Sequence, residues 1–272
     1  MEIANINGID LQYDVKGSGE PVILIHGAII ADANFPLIMQ SNLTKKYQMI
    51  HYHRRGYAGS SNNNSHVGIS EQANDCLKLM QYLGIDRGHI VGHSIGGTIA
   101  LQLAIDYPNY VQSLSLLEPS LTGYNPQGDY QVIQEFMPLI QIYDKGQRSE
   151  AIDNFLKMTI GIDYRNLIDK MLPANAFDLA VIDAKIFFYD EIPAMKSWAF
   201  NYDDVKKIIQ KPVLYIRGSD SGQRSLERQQ IVLKLLPQTK VLEIDKAKHM
   251  IQIMNPVDLA ENFADFFADH PL

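Results

Sequence analysis

The strongest constraint on this chain is a rhythm of short, almost unbroken apolar runs separated by stretches with helical spacing. Val22–Ile25 and His89–Val91 are too apolar to be half-exposed, so they predict strands covered on both faces. Leu114–Leu117, Val213–Ile216 and Val241–Ile244 are expected as further strands of the same sheet. Between the first two, Ala73, Leu77, Met80 and Leu83 recur every three or four residues, predicting a helix capped by Ser70 and ended by Gly84. Further helices are expected from Ile95 to Tyr107, stopped by Pro108, near Ser225–Leu236, and from Pro256 to Phe267. Strand-helix-strand alternation of this kind predicts a mostly parallel, twisted sheet with helices on both faces, the α/β class. The N-terminus reads differently: Ile9, Leu11, Tyr13 and Val15 alternate with polar residues after Asn7-Gly8, as in a half-buried ribbon after a tight turn.

The alternation lapses after Leu121 and returns at Pro212. Val132–Tyr143, Ala151–Met158 and Phe177–Tyr189 all have helical apolar spacing, and 13 of the 25 aromatics lie between residues 121 and 210. The expected organisation is a core of residues 1–120 and 211–272 carrying an inserted helical cap, or lid, of residues 121–210. A small helical layer does not need so many rings for its own packing, so some should line a pocket; Trp198, Phe187 and Phe188 are the candidates.

Composition removes several classes of function. With 24 basic and 31 acidic residues the formal charge is −7, the wrong sign for a nucleic-acid backbone or an anionic membrane surface. The expected partner is a small-molecule substrate, with no nucleic acid and no membrane; oligomeric state is left open. Cys76 is the single cysteine, which excludes an internal disulfide or a multi-cysteine metal site, and it sits beside a helical stripe as a core residue would. Met1–Gly19 has no basic and apolar signal pattern, and no apolar run approaches the ~20 residues of a membrane span. A cytoplasmic protein is therefore expected.

Gly92-His93-Ser94-Ile95-Gly96 matches G-x-S-x-G, a pentapeptide that composition alone would produce in on the order of one chain in ten. Its context carries the weight: a predicted buried strand precedes it and a predicted helix follows. Such a turn forces the serine into a strained conformation at a helix start, with glycines where a Cβ would clash.

On these residues the chain resembles the α/β-hydrolase superfamily. His26-Gly27 after Val22–Ile25 is similar to that family's oxyanion loop. Arg54-Arg55-Gly56-Tyr57-Ala58-Gly59-Ser60 is similar to its R-G-x-G-x-S segment, and Ala247-Lys248-His249-Met250 to its histidine loop. The insertion after the sixth strand matches the usual lid. His53 stands where many members have Asp, and Ala58 where many have Gly.

The resemblance implies that Ser94 is a nucleophile, His249 its base, and the backbone N–H groups of Ile95 and Ala28 the oxyanion hole. Two carboxylates compete for the acid. Asp220 lies on the loop after the seventh strand, where most members keep theirs, but Ser221 occupies the usual position. Glu118, after the sixth strand, is preferred, with Asp220 the alternative. The implied activity is that of a serine esterase: cofactor-free hydrolysis of a small, largely apolar acyl compound, most simply a carboxylic ester, through an acyl-enzyme. Alternatives are a ligand-binding receptor on the same fold, or a carbon–carbon bond hydrolase, perhydrolase or haloperoxidase-like member, or hydroxynitrile-lyase-like member. His93 reads as a packing or hydrogen-bonding residue. His51 and His53, two apart on a strand, share a face as metal ligands could, but no third ligand lies near them in sequence, so no metal is expected.

Overall fold

The computed structural model describes residues 1–62, 67–121, 126–199 and 202–272, without the side chains of 126–133 and 202. Of the insertion's aromatics, Tyr124 and Phe200 therefore lie outside the described residues, as do the side chains of Tyr130 and Tyr202. The strands are β1 (Glu2–Ile6), β2 (Ile9–Lys16), β3 (Glu20–Ile25), β4 (Tyr47–Tyr52), β5 (Gly88–His93), β6 (Val111–Leu117), β7 (Val213–Gly218) and β8 (Lys240–Ile244). They form one sheet in the order β1-β2-β4-β3-β5-β6-β7-β8. From β4 to β8 every pairing is parallel, whereas β1–β2 and β2–β4 are antiparallel.

Side-chain alternation explains the apolar runs. Ile23 and Ile25 of β3, with Val213 and Tyr215 of β7, join a core on one face that holds helices Ile69–Tyr82 and Ile95–Asp106. Val22 and Leu24, with Leu214 and Ile216, enter the opposite core against helix Pro256–Ala268. Interior strands such as β3 and β7 thus need apolar residues on both sides. Cys76 is fully buried in the first core.

The N-terminal ribbon turns at Asn7 and Gly8, with φ of +52° and +76°, the two positive values that a tight hairpin of this hand requires. Ser70 does not cap its helix. Gly68 holds the cap position, and Ile69, 3% exposed, anchors the first turn in the core, which places Ser70 inside the helix. Gly84, at φ +70°, follows its end as expected.

Between β6 and β7 the described chain is helical: Pro126–Asp144, Arg148–Thr159, Tyr164–Met171, Ala176–Ile186, Ile192–Ser197 and Tyr202–Lys206. Phe187–Glu191 forms a π turn that continues helix Ala176–Ile186 into Ile192–Ser197. No described helix is long and apolar enough to cross a membrane.

Candidate active site

Sheet register brings together residues far apart in sequence. Ile25 pairs with Gly92, His93 with Leu117, Leu117 with Ile216, and Gly218 with Ile244, so the carboxyl ends of β3, β5, β6, β7 and β8 form a row. The residues just beyond that row, Ala28, Ser94, Glu118, Asp220 and His249, are consequently neighbours at one edge. This edge is where ligands bind in open α/β sheets.

Ser94 has φ +53° and ψ −122°, a conformation that costs a non-glycine residue about 1–3 kcal/mol. The surroundings enforce it. Its N–H donates to Leu117 C=O at 2.9 Å, and its own C=O accepts from Gly97 N–H and Ser120 N–H at 2.9 and 3.0 Å. A Cβ on Gly92 would strike the Gly96 carbonyl, and one on Gly96 the carbonyls of Ile25 and His26, so both glycines are dictated by the close passage of helix and strands.

Glu118, also at positive φ (+42°), is buried, and its Oε2 accepts from His249 Nδ1 at 2.8 Å. The other oxygen, Oε1, accepts from Gly218 N–H and Ser225 Oγ, both at 3.0 Å. Burial pushes this carboxyl up, but the bonds from His249 and Gly218, with the adjacent Ser221, outweigh it and hold the group at about 2. Asp220 is exposed. It accepts from its neighbour Ser219 Oγ at 3.0 Å, and its N–H donates to Ala247 C=O at 2.9 Å. The structure therefore places Glu118 on the imidazole and leaves Asp220 in the turn.

His93 Nε2–H donates to the His249 carbonyl at 2.8 Å, and the two rings lie 4.7 Å apart. Burial, reinforced by His249, pushes His93 down to about 3, so it stays neutral and steadies the histidine loop. On the opposite side, His26 Nδ1–H donates to Gly27 C=O at 2.7 Å while its Nε2 accepts from Arg54 N–H at 2.9 Å, which defines its tautomer. The Arg54 guanidinium binds the His26 and Gly27 carbonyls at 3.0 and 2.9 Å and pairs with Glu191 at the end of the π turn. Tyr57 O–H donates to the other Glu191 oxygen at 2.8 Å. One buried arginine thus ties the loop bearing Ala28 to the helices between β6 and β7. Among the described residues, neither Ala28 N–H nor Ile95 N–H donates to a protein acceptor.

Ser94, His249, Ala28 and Ser120 open on one pocket whose remaining walls are mostly apolar. Phe136, Phe155 and Phe187 line it from the inserted helices, and Lys196 and Arg228 add positive charge. Of the three aromatic candidates only Phe187 lines this pocket. Phe188, one residue on, turns away to meet the Tyr143 ring at 5.3 Å, and Trp198 is drawn aside by its Nε1–H bond to Gln102 at 2.7 Å. The wall position belongs instead to Phe136 and Phe155, whose helical spacing marked them as apolar without showing which way they face. Sequence reasoning also missed Ser120, whose Oγ lies 3.2 Å from Ser94 Oγ. Its only signal was adjacency to Glu118-Pro119.

The Ala58 departure has a visible consequence, since Ala58 holds φ +47°, a left-handed value that favours glycine. His53 is buried, with Nδ1 2.9 Å from Gln12 Oε1 and Nε2 2.9 Å from Asp32 Oδ1. Tertiary structure adds a third side chain to the pair of His51 and His53. Asp32, delivered by the loop after β3, lies beside them, and one side-chain N or O atom from each of the three lies within 4.8 Å of the others.

The mouse (Mus musculus) sn-1-specific diacylglycerol lipase ABHD11 is 21% identical over 284 residues, covering 98% of this chain and 88% of that protein. A solved bromoperoxidase from Bacillus anthracis is similar with a TM-score of 0.81 at 22% identity, over 98% of this chain and 99% of that one. The enol-lactonase from Burkholderia xenovorans LB400 gives 0.80 at 19% identity, over 98% and 100%. At such identities these structures speak for the fold. A sequence model of the alpha/beta hydrolase fold matches residues 20–256, and the chain belongs to that family.

Proposed function

We propose that this hydrolase-family protein is a serine esterase that cleaves a small, largely apolar acyl compound through an acyl-enzyme, with residues 121–210 acting as a cap over a core of 1–120 and 211–272. The observation that carries the reading is the His249 Nδ1–Glu118 bond at 2.8 Å, made beside a pocket that Ser94 and His249 share. With Nδ1–H given to Glu118, the lone pair of the imidazole lies on Nε2. That nitrogen takes the Ser94 proton as Oγ attacks the acyl carbon, and Ile95 N–H and Ala28 N–H receive the developing oxyanion. The imidazolium then gives its proton to the leaving alcohol. Water, deprotonated by the same nitrogen, releases the acid and restores Ser94.

The pocket walls support an apolar acyl group, and Lys196 and Arg228 disfavour a cationic one. A fluorophosphonate should label the wild type and leave Ser94→Ala unmarked, and only the wild type should turn over activated esters in steady state. Equal labelling of both proteins removes the assignment. A single burst without turnover selects the receptor reading. Phe155→Ala and Phe187→Ala should shift acyl-length preference toward longer chains; loss of stability with unchanged preference would make these rings core residues only.

A further inference from the structure

We propose that Asp32, His51 and His53 form a binding site for a divalent transition metal, with zinc the best chemical fit, behind the loop that carries Ala28. His51 lies next to last in β4 and His53 is the first residue beyond it, a two-residue spacing that keeps both on one face, and Asp32 comes from the 3-10 turn Ala31–Asn34. All three side chains are buried. The site shares no residue with the Ser94 pocket, so it stands independently of the esterase reading.

Three observations converge. The His51 ring is 1% exposed, and neither of its nitrogens has a hydrogen-bond partner, an omission that buried polar groups seldom tolerate without an ion or water. With the ring proton on Nδ1, 2.9 Å from Gln12 Oε1, the His53 Nε2 lone pair and the Asp32 carboxylate 2.9 Å from it are placed to ligate one cation together. The spacing is also right. Asp32 Oδ1 is 2.9 Å from His53 Nε2 and 3.8 Å from His51 Nε2, bracketing the ~3.3 Å edge of a tetrahedron with metal–ligand bonds of about 2.0–2.1 Å.

Gln12 is then the outer partner that orients a metal-bound imidazole. Two imidazoles and one carboxylate suit zinc and its neighbours and not magnesium or calcium, which take oxygen donors. The fourth position falls to water. Asp183 of helix Ala176–Ile186, whose Oδ2 accepts from Ala58 N–H at 2.7 Å, adds negative charge in the same neighbourhood. The role that follows is a clamp. Asp32 sits four residues beyond Ala28, across Ile29 at φ +72°, so a metal would pin this strained segment to the end of β4.

The test uses untagged full-length protein, stripped with a chelator and titrated with Zn²⁺ or Co²⁺. The wild type should bind about one equivalent, show the intense visible bands of four-coordinate Co²⁺, and gain Tm on loading. Asp32→Asn and His51→Gln should each weaken binding by at least ~100-fold, and Gln12→Leu by ~10–100-fold. His270→Gln, far from the cluster in sequence and in no contact with it, should bind as the wild type does. Uptake by the variants equal to the wild type, a Co²⁺ spectrum of the hydrated ion alone, or a wild-type Tm indifferent to chelator and metal would each overturn the site and leave a buried histidine–carboxylate ion pair. If the variants fail to fold, the wild-type titration and the chelator-dependent Tm decide the matter alone.

Discussion

Among the described residues two buried carboxylates lie on histidines, Glu118 with His249 and Asp32 with His53 and His51, and their surroundings differ in one decisive way. His249 keeps 21% of its side chain exposed, at the pocket, while His53 and His51 keep 4% and 1%. Glu118 has both oxygens satisfied by three donors, so it orients one imidazole and leaves the distal nitrogen to face a substrate. Asp32 faces two imidazoles whose nitrogens converge on the same oxygen. The same residue types thus suit a proton relay where one nitrogen is open to the pocket, and cation capture where the donors point at each other.

The largest effect should come from removing the charge of the relay. Glu118→Gln should lower kcat for an activated ester by about 10⁴ with the fold intact, because the imidazole loses its tautomer, while Asp220→Asn should lose little. A crippled Asp220→Asn enzyme would reverse the assignment and weaken the contrast between the two clusters.

Arg54 lies between the clusters, adjoining His53 in sequence and binding the carbonyls of His26 and Gly27. Arg54→Met leaves the buried Glu191 with Tyr57 O–H but without its cation and should cost about 3–5 kcal/mol in denaturant unfolding, with Arg54→Met/Glu191→Leu recovering part of it. If Arg54→Met unfolds at the wild-type midpoint, the two regions are not joined through this pair.

Acid should act next, on the groups packed around His249. His93 is depressed from 6.5 to about 3 and Glu118 from 4.5 to about 2, so in both cases the unfolded chain binds protons more readily than the folded one. Their stabilisation is present above the unfolded values and is lost as pH falls, from about 6.5 toward 3 for His93 and from about 4.5 toward 2 for Glu118. Tm measured against pH should therefore fall less steeply below 6.5 in His93→Gln than in the wild type. An unchanged acid limb would show that His93 is not held neutral.

The smallest effect is expected at Ala58, whose N–H reaches Asp183. Ala58→Gly relieves the left-handed strain but loosens the unfolded chain, a net gain of about 1 kcal/mol or less that calorimetry can resolve. A clear loss would mean that the Ala58 methyl packs usefully against the helices between β6 and β7.

The sheet and the Ser94 turn were legible because their causes are local. A strand buried on both faces needs a continuous apolar run, as in Val22–Ile25, and a helix packed against strands needs glycine at 92 and 96. Helix caps were less legible: Ser70 has the right chemistry, yet burial of Ile69 moved the start by two residues. Ring direction was not legible at all. Phe187 and Phe188 are equivalent in composition and period, and only the π turn decides that one faces the pocket and the other Tyr143.

By itself, then, the amino-acid order determined the alternation of strands and helices, the strained serine between glycines and the existence of an aromatic-rich insertion, all of which depend on residues within a turn or two of one another. Tertiary structure decided which carboxylate meets His249 and which residue joins His51 and His53. Glu118 and His249 are 131 residues apart, Asp32 and His53 are 21 apart, and parallel register beside a folded-back loop is what closes both distances to 2.8 and 2.9 Å. Contacts of that kind are set by how strand ends align across the sheet, a property of the whole fold that no local pattern encodes.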